Sequence, residues 1–346
     1  MYKIRPVKTS DYGALKKLSK AVGIGFTSMP RNTKLLKEKL ERTEASFKNL
    51  LPSQERFYWF ALELIETGQL IGLSGIEASA GHTEPFFNYK INIIVQNNYA
   101  LNKHFEHQIL ELVNDYQHAS ELCSLFLLPA YRRGDLGRLM SRVRFAYIAQ
   151  HLKQFSELMI AEMRGFINEK GGSPFWDALG RQFFNIDFDE ADAMTALPGK
   201  QYIMDLMPKF PIYVHLLPKE AQSVIGQVHQ DTTGAVKLLK KENFVFNQYV
   251  DIFDGGPVLE CRTKSIKTVE NTKKYKIAGF FKENKNLDSK ITEKIKNKYI
   301  LSWVHPEQGF QALQAEVEFL NTDEINISEF AWQQLNLNAG SRVYVS

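Results

Sequence analysis

The sequence predicts an α/β (α+β) fold: a mixed, mainly antiparallel sheet flanked by helices, followed by a small β-rich C-terminal domain. Three observations lead there. Residues 57–65, 69–80 and 87–95 are apolar, β-rich runs separated by Glu66-Thr-Gly68 and Gly81-His-Thr-Glu-Pro85, the pattern of antiparallel strands joined by turns. A strand, a Gly/Arg turn and a helix then follow in that order between Ser120 and Ala146. Beyond Arg262 the composition shifts to Lys, Asn and Glu, and strand-like and helix-like segments return near the C-terminus. The domain boundaries expected from this are 1–261 and 262–346.

Taken in order, residues 2–7 alternate as a first strand, and Ser10-Asp11 can cap a helix over 12–21. No dinucleotide fingerprint follows that strand, which argues against a doubly wound sheet. A Gly- and hydroxyl-containing loop, 22–30, leads to a helix over 35–47 with its charges outward. After the three-strand meander, 122–128 is a nearly continuous apolar run suited to a strand buried on both faces, and Pro129 ends it. Arg132-Arg133-Gly134-Asp135-Leu136-Gly137 turns the chain into a helix with Leu139, Val143 and Ala146 at helical spacing. A strand is expected over 158–164, and a Ser173-Pro174 start signal opens a helix that keeps Trp176, Leu179 and Phe183 on one face. Asp187, Asp189, Glu190 and Asp192 read as the acidic start of a further helix, favourable to its dipole, with guanidinium binding as the competing reading. Short helices over 218–225 and 235–242 and a strand over 244–253 lead to the sharp Asp254-Gly-Gly-Pro257 turn. A lysine-rich linker and polar hairpin are expected up to Ile300, then a strand over 315–320, a Ser328-capped helix to Leu335, and a final turn and strand.

The composition bounds what this chain does. With 44% hydrophobic and 24% charged residues among 346, it has the make-up of a folded globular protein. Two cysteines, Cys123 and Cys261, make no disulfide framework, and no apolar run reaches the roughly 18 residues of a membrane span; cytoplasm is the compartment expected. A net charge of +4, and a lysine-rich segment without an aromatic stacking pattern, give no reason to expect nucleic acid. Eight histidines are present; His104 and His107 lack a third and fourth ligand at useful spacing, so no metal is expected. There is no nucleophile elbow and no cysteine with an evident exposed base, which argues against a covalent acyl-enzyme. The strand–turn–helix unit has a specific chemical use: free backbone N–H groups at a helix start, glycines permitting close approach and arginines beside them suit a pyrophosphate. A plain connection is the competing reading.

That unit resembles the acyl-coenzyme-A-binding motif of the GNAT acyltransferases, so the fold is expected to be GNAT-like. The blocks Ser120-Glu-Leu-Cys-Ser-Leu-Phe-Leu127, Ala161-Glu-Met-Arg-Gly165, Ser173-Pro-Phe-Trp176, Met207-Pro-Lys-Phe-Pro-Ile-Tyr213, Val224-Ile-Gly-Gln-Val-His229 and Phe253-Asp-Gly-Gly-Pro257 resemble the bacterial arginine N-succinyltransferase family, in that family's order, from Ile4 to about Cys261. The resemblance implies transfer of succinyl from succinyl-coenzyme A, a co-substrate rather than a resident cofactor, to the α-amine of L-arginine in arginine catabolism. By the same matching His229 falls on the family's catalytic proton donor and Leu125 on its succinyl-coenzyme-A-binding position. The pyrophosphate would lie over Arg132, Arg133, Gly134, Gly137 and Arg138, and Glu162 is a candidate for the cationic side chain of the acceptor. Arg164 and Arg181 are among the arginines that qualify for the succinyl carboxylate. One departure is visible: Asp135 stands where the family turn has its first glycine, and a carboxylate beside a pyrophosphate is unfavourable. Ornithine as acceptor, another acyl donor, or a non-catalytic coenzyme-A- or nucleic-acid-binding role are the alternatives. The partners expected are these small molecules, with neither nucleic acid nor membrane, and a homo-oligomer is left open.

Overall fold

The structure, a computed structural model, describes residues 1–21, 29–30, 32–132, 134–195, 201–282 and 298–346. Fifteen strands among these form one continuous sheet: β1 (Tyr2–Pro6), β2 (Phe57–Leu64), β3 (Leu70–Glu77), β4 (Asn88–Asn98), β5 (Lys103–Val113), β6 (Ser120–Leu127), β7 (Leu158–Glu162), β8 (Ile212–Tyr213), β9 (Val245–Asp251), β10 (Pro257–Arg262), β11 (Lys273–Phe281), β12 (Lys298–His305), β13 (Gly309–Phe319), β14 (Glu324–Ser328) and β15 (Arg342–Val345). Their order is β12-β15-β11-β14-β13-β1-β2-β3-β6-β7-β10-β9-β4-β5-β8. Only β6–β7 and β11–β14 pair in parallel, so the sheet is mixed and mainly antiparallel, as the turn-separated runs predicted.

The centre of the sheet is buried on both faces. In β2, Phe57, Trp59 and Ala61 meet Leu15, Leu18, Leu36 and Leu40 from α1 (Tyr12–Ala21) and α2 (Thr33–Phe47). Tyr58, Phe60 and Leu62, one residue out of phase and so on the other face, meet Leu139, Met140, Val143 and Tyr147 of α3 (Leu136–Gln150). Local chemistry places these helices: the Asn32 side chain accepts from the backbone N–H groups of Lys34 and Leu35 at the start of α2, satisfying two donors that the helix leaves open.

Three expectations change. β5 was not foreseen; its solvent positions Glu106, Gln108 and Glu111 dilute the periodicity, and its eleven-residue ladder to β4, from Asn88↔Val113 to Asn98↔Lys103, is what holds it in the sheet. The helix opened by Ser173 divides into Pro174–Ala178 and Gly180–Phe184 at Leu179, whose φ of −121° and ψ of −73° leave the helical region, and Gly180 lets the Trp176 ring approach to where a Cβ would stand 2.1 Å from it. The lysine-rich stretch is not all linker: Lys273–Phe281 is β11, with Ile277 buried and the lysines outward, while Lys285, Lys290, Lys294 and Lys296 lie outside the described residues. The acidic run fits the dipole reading, with Asp189 and Glu190 in the first turn of helix Phe188–Thr195.

Strands β11–β15 and helix Glu329–Leu335 close over a core of their own, which includes Ile277, Leu301, Leu313, Ile325 and Val343. They join the rest through one register pair, Ile4↔Ala312, and through Ile300, Phe310 and Ala312, which enter the main core.

Candidate active site

A cleft of about 950 Å³ opens where the sheet's regularity fails. β6 and β7 run parallel but share register only at Ser120↔Met159 and Glu121↔Ile160; past that point β7 pairs along its length with β10 alone, and residues of both strands line the cleft. The other edge of β6 is interrupted as well. Between Leu73↔Phe126 and Gly75↔Cys123, one β3 residue faces two β6 residues, Ser124 and Leu125, which is a β-bulge, and Ser124 takes a φ of +55°. The strain at this non-glycine residue is held by packing: Trp59 Nε1 donates to Ser124 Oγ at 2.9 Å, and Gly75 leaves room, since a Cβ there would stand 2.9 Å from the Trp59 ring. Leu125 thus sits in the cleft wall with no register partner on either neighbouring strand among the described pairings.

At the end of β6 the pyrophosphate candidates gather. Gly134 turns the chain with a φ of +75°, α3 begins at Leu136, and its first N–H groups have no partner one turn back within the helix. Nothing lies within 4 Å of where a Cβ of Gly137 would stand, so the glycine leaves open space on the cleft side of that turn. Arg132 donates through Nε to Leu127 O at 3.0 Å and its guanidinium lies over Phe126, and its Nη groups make no hydrogen bond or ion pair among the described residues; Arg138 lines the same wall. Asp135 occupies the N-cap position but makes no capping hydrogen bond with its side chain. Arg133 lies outside the described residues.

His229 is placed by backbone rather than by side-chain partners. Its N–H donates to Arg164 O at 2.9 Å, Val228 bridges Gly165, and Gly226 N donates to Gly255 O at 2.8 Å. The third loop is clamped to the first: the buried Asp254 carboxylate accepts from Gly165 N at 2.6 Å and from Gly256 N at 2.8 Å. A Cβ at Gly165 would stand 2.5 Å from Asp254 O, so only glycine permits this approach. Three separate sequence blocks, Ala161–Gly165, Val224–His229 and Phe253–Pro257, meet in one junction beside the cleft.

The His229 ring is 15% exposed, and Nδ1 accepts from Asp231 N at 3.2 Å, which assigns the neutral tautomer with hydrogen on Nε2. Burial and then the Arg164 charge hold its pKa below the ordinary imidazole value, against the Asp231 carboxylate 3.8 Å from Nδ1. The cleft lining takes in its neighbours Arg164, Asp231 and Thr232 rather than the ring itself.

The other candidates divide. Glu162, at the end of β7, lines the cleft and accepts from Asn88 Nδ2 at 2.8 Å. Arg164 lines it too, with its Nε buried and without a hydrogen bond and with Asp254, Asp192 and Asp231 around it. Arg181 does not join the site: it is paired with Asp177 at 2.8 Å and Asp187 at 2.6 Å. His104 and His107 are on β5, away from the cleft lining; His104 pairs with Asn97 at 2.6 Å and His107 lies against the rings of Phe105 and His215. Among the described residues no group of three metal-ligating side chains occurs. Both cysteines are free thiols, and burial pushes Cys123 up to about 12, far from a nucleophile's range.

Sequence reasoning missed the Ser124 bulge with its Trp59 support, the Asp254 clamp and Arg144, an arginine 2% exposed that also lines the cleft. A signal existed for the last: Arg144 falls within the apolar run of α3, between Val143 and Phe145, where a charge is out of place.

Comparison with known proteins places the chain in a family. The family model described as arginine N-succinyltransferase beta subunit matches residues 2–268. Curated arginine N-succinyltransferases from several Escherichia coli strains are 42% identical over 278 residues, covering 80% of this chain and 81% of theirs. A solved structure, the arginine/ornithine succinyltransferase subunit AI from Pseudomonas aeruginosa, superposes with a TM-score of 0.87 at 29% identity, over 100% of this chain and 98% of that one. With a family model matched over residues 2–268 and relatives 42% identical over 80% of its length, this chain belongs to the arginine N-succinyltransferase family.

Proposed function

We propose that this acyltransferase moves the succinyl group of succinyl-coenzyme A to the α-amine of L-arginine, giving N2-succinyl-L-arginine and coenzyme A, by direct attack without an acyl-enzyme. The observation that carries the reading is the junction of Arg164-Gly165, Val228-His229 and Gly255-Gly256 beside a strand split that exposes Leu125. The pyrophosphate lies at the start of α3 between Arg132 and Arg138, and the pantetheine arm enters the gap between β6 and β7. The thioester carbonyl meets the bulge at Leu125, where backbone donors outside the ladder suit a developing oxyanion. The neutral amine forms the C–N bond and the C–S bond breaks. The imidazolium form of His229 supplies a proton to the departing sulfur from Nε2, directly or through one water, and the proton lost by the amine nitrogen returns the ring to the imidazolium. Its depressed pKa makes the protonated ring a stronger acid than an ordinary histidine, which favours donation. Positioning both substrates lowers the barrier without a covalent step. Glu162, held by Asn88, is the partner proposed for the guanidinium.

The test is coenzyme-A thiol release from succinyl- or acetyl-coenzyme A with arginine, ornithine, lysine or no acceptor, for the intact protein and for His229→Ala. Release that requires arginine, prefers the succinyl donor and falls on the order of 10²-fold or more without His229 supports the reading. Release driven by ornithine alone moves the acceptor assignment, and no release with any pair overturns it.

Three further points belong to the same reading. Residues 262–346 are proposed as a second unit on the strength of the core shared by β11–β15 and helix Glu329–Leu335, although Ile266 and Val269 at its start pack into the main core. Ile93, Val95, Tyr99, Leu101 and Phe105, exposed on the β4–β5 hairpin, supply an apolar surface on which copies of the chain can associate. No helix among the described residues is long and apolar enough to cross a membrane, and the cytoplasm, where free thiols persist, is the compartment proposed.

A further inference from the structure

Among the described residues lining the cleft, Arg144 is a deeply buried cation with no carboxylate in ion-pair range. Arg144 lies on α3, 2% exposed, with its Nε donating to Ser141 O at 3.1 Å and one Nη2 hydrogen to Ser141 Oγ at 3.1 Å. Of its five N–H donors these account for two, and no carboxylate stands within ion-pair distance among the described residues. Burial lowers its pKa to about 10, which still leaves it charged at pH 7. A buried charge is costly unless paired, and structural arginines in the same protein are paired: Arg5 with Glu63 and Asp11, Arg42 with Glu77, Arg142 with Glu242. At Arg144 the missing partner fits a ligand.

Position along α3 says which part of the ligand. α3 runs back over β6: Tyr147, near its C-terminal end, packs on Tyr58 with ring centroids 4.9 Å apart, and Tyr58 is level with Ile76 and so with Leu122, near the start of β6. Arg144 is eight residues beyond Leu136, about 12 Å along the helix from the pyrophosphate turn. On the strand, four residues back from Leu127 is Cys123, about 13 Å away. Arg144 is therefore level with Cys123 and Ser124, one step past Leu125 toward the closed end of the strand split. An acyl chain whose carbonyl is at Leu125 extends in that direction. The phosphates are too far away, and the pantetheine amides are neutral.

We propose that Arg144 receives the terminal carboxylate of the succinyl group and thereby selects a dicarboxylic acyl donor. This rests on the succinyltransferase reading above. A guanidinium fork matches a carboxylate in two parallel hydrogen bonds, and a donor without that carboxylate leaves the charge buried and unpaired. Arg164 is the weaker candidate, because Asp254, Asp192 and Asp231 already surround it.

Succinyl- and butyryl-coenzyme A share chain length and differ in the terminal carboxylate, so their ratio of kcat/KM, with arginine as acceptor, reads the contact. Arg144→Gln is expected to cut the succinyl/butyryl ratio on the order of 10²-fold or more, with butyryl transfer unchanged or faster, and Arg144→Lys is expected to keep part of it. An equal loss for both donors, which a packing or pantetheine role would give, overturns the proposal. So does an unchanged ratio. Should Arg144→Gln not fold, Arg144→Lys and the intact protein retain the test through binding of non-reactive thioether analogues: the succinyl analogue must bind more tightly than the butyryl one, by a margin that Arg144→Lys reduces, and equal binding to the intact protein overturns the assignment. If the intact protein transfers neither acyl group to arginine, the underlying reading fails instead, and the two failures are distinct.

Discussion

His229 is held between two opposite charges, and removing each one moves its titration in a calculable direction. Burial and the Arg164 guanidinium disfavour the imidazolium, while the Asp231 carboxylate, 3.8 Å from Nδ1, favours it. At that distance two unit charges in a water-like dielectric interact by about 1 kcal/mol. Asp231 is 64% exposed, so solvent screening reduces this further, and the direction of the shift is what the substitution reads. Asp231→Asn keeps the backbone N–H that donates to Nδ1 and removes only the charge, so the His229 pKa falls further below the ordinary value of about 6.5. Arg164→Gln removes the like charge, so the pKa rises. The assay is NMR titration of the imidazole signals in histidine-labelled protein, with His229 assigned by the signal lost in His229→Gln. Two shifts of the same sign, or a wild-type His229 that titrates above 6.5, would refute the electrostatic account. Because the protonated ring is the donor, the Asp231→Asn protein should also lose activity as pH rises earlier than the wild type does, and Arg164→Gln later.

Other substitutions test the supports. Asp135→Asn removes a carboxylate beside the pyrophosphate turn without removing a cap hydrogen bond; relief of about 1 kcal/mol of repulsion should lower the KM for succinyl-coenzyme A roughly fivefold, and an unchanged KM would place the carboxylate outside the phosphate's reach. Gly165→Ala drives a methyl group to 2.5 Å from Asp254 O at a buried backbone contact; a loss of about 1–3 kcal/mol in chemical denaturation is expected, together with lower turnover because the same junction positions His229. Glu242→Ala strips the buried partner of Arg142, at 3.4 Å, and of the Thr268 N–H, at 2.7 Å, where helix Lys267–Asn271 meets α3; about 3 kcal/mol of stability should be lost, with donor preference unchanged.

How much of this was legible follows from what each feature depends on. Helix α1 and strands β2 and β3 lie where periodicity put them, because their side chains are sorted between core faces within a few residues of sequence. The turn Arg132–Gly137 was legible as a pyrophosphate candidate since glycine, arginine and a helix start are local signals. β5 was not, because its place depends on a ladder to β4 rather than on a strong apolar alternation. The Asp254 clamp was beyond the same reasoning: Gly165 and Asp254 are 89 residues apart, and Asp254-Gly-Gly-Pro257 reads locally as a turn and nothing more. Arg144 is the instructive case, visible as a charge in an apolar run but without meaning until α3 is laid over β6.

The site is made of places where the sheet departs from regularity, and each departure is stabilised by a residue far from the chemistry. A parallel pair that kept its ladder would leave no space between β6 and β7; the two-residue register closes one end, and β10 takes over the pairing of β7 so that the split does not expose its whole edge. A regular β6 would send Leu125 into a ladder with β3; the bulge withdraws it, and Trp59, Gly75 and Ser124 hold the bulge from beneath. The consequence is an ordering of effects. Disturbing Trp59, for example by Trp59→Phe, removes the Nε1 hydrogen bond but retains most of the ring, so about 1 kcal/mol of stability should be lost. If the bulge positions the thioester, turnover with succinyl- and butyryl-coenzyme A should fall together, because both carbonyls use Leu125, whereas Arg144→Gln should separate them. A Trp59→Phe protein that loses stability while keeping full turnover with both donors would show that the bulge serves packing alone, and would remove Leu125 from the oxyanion role.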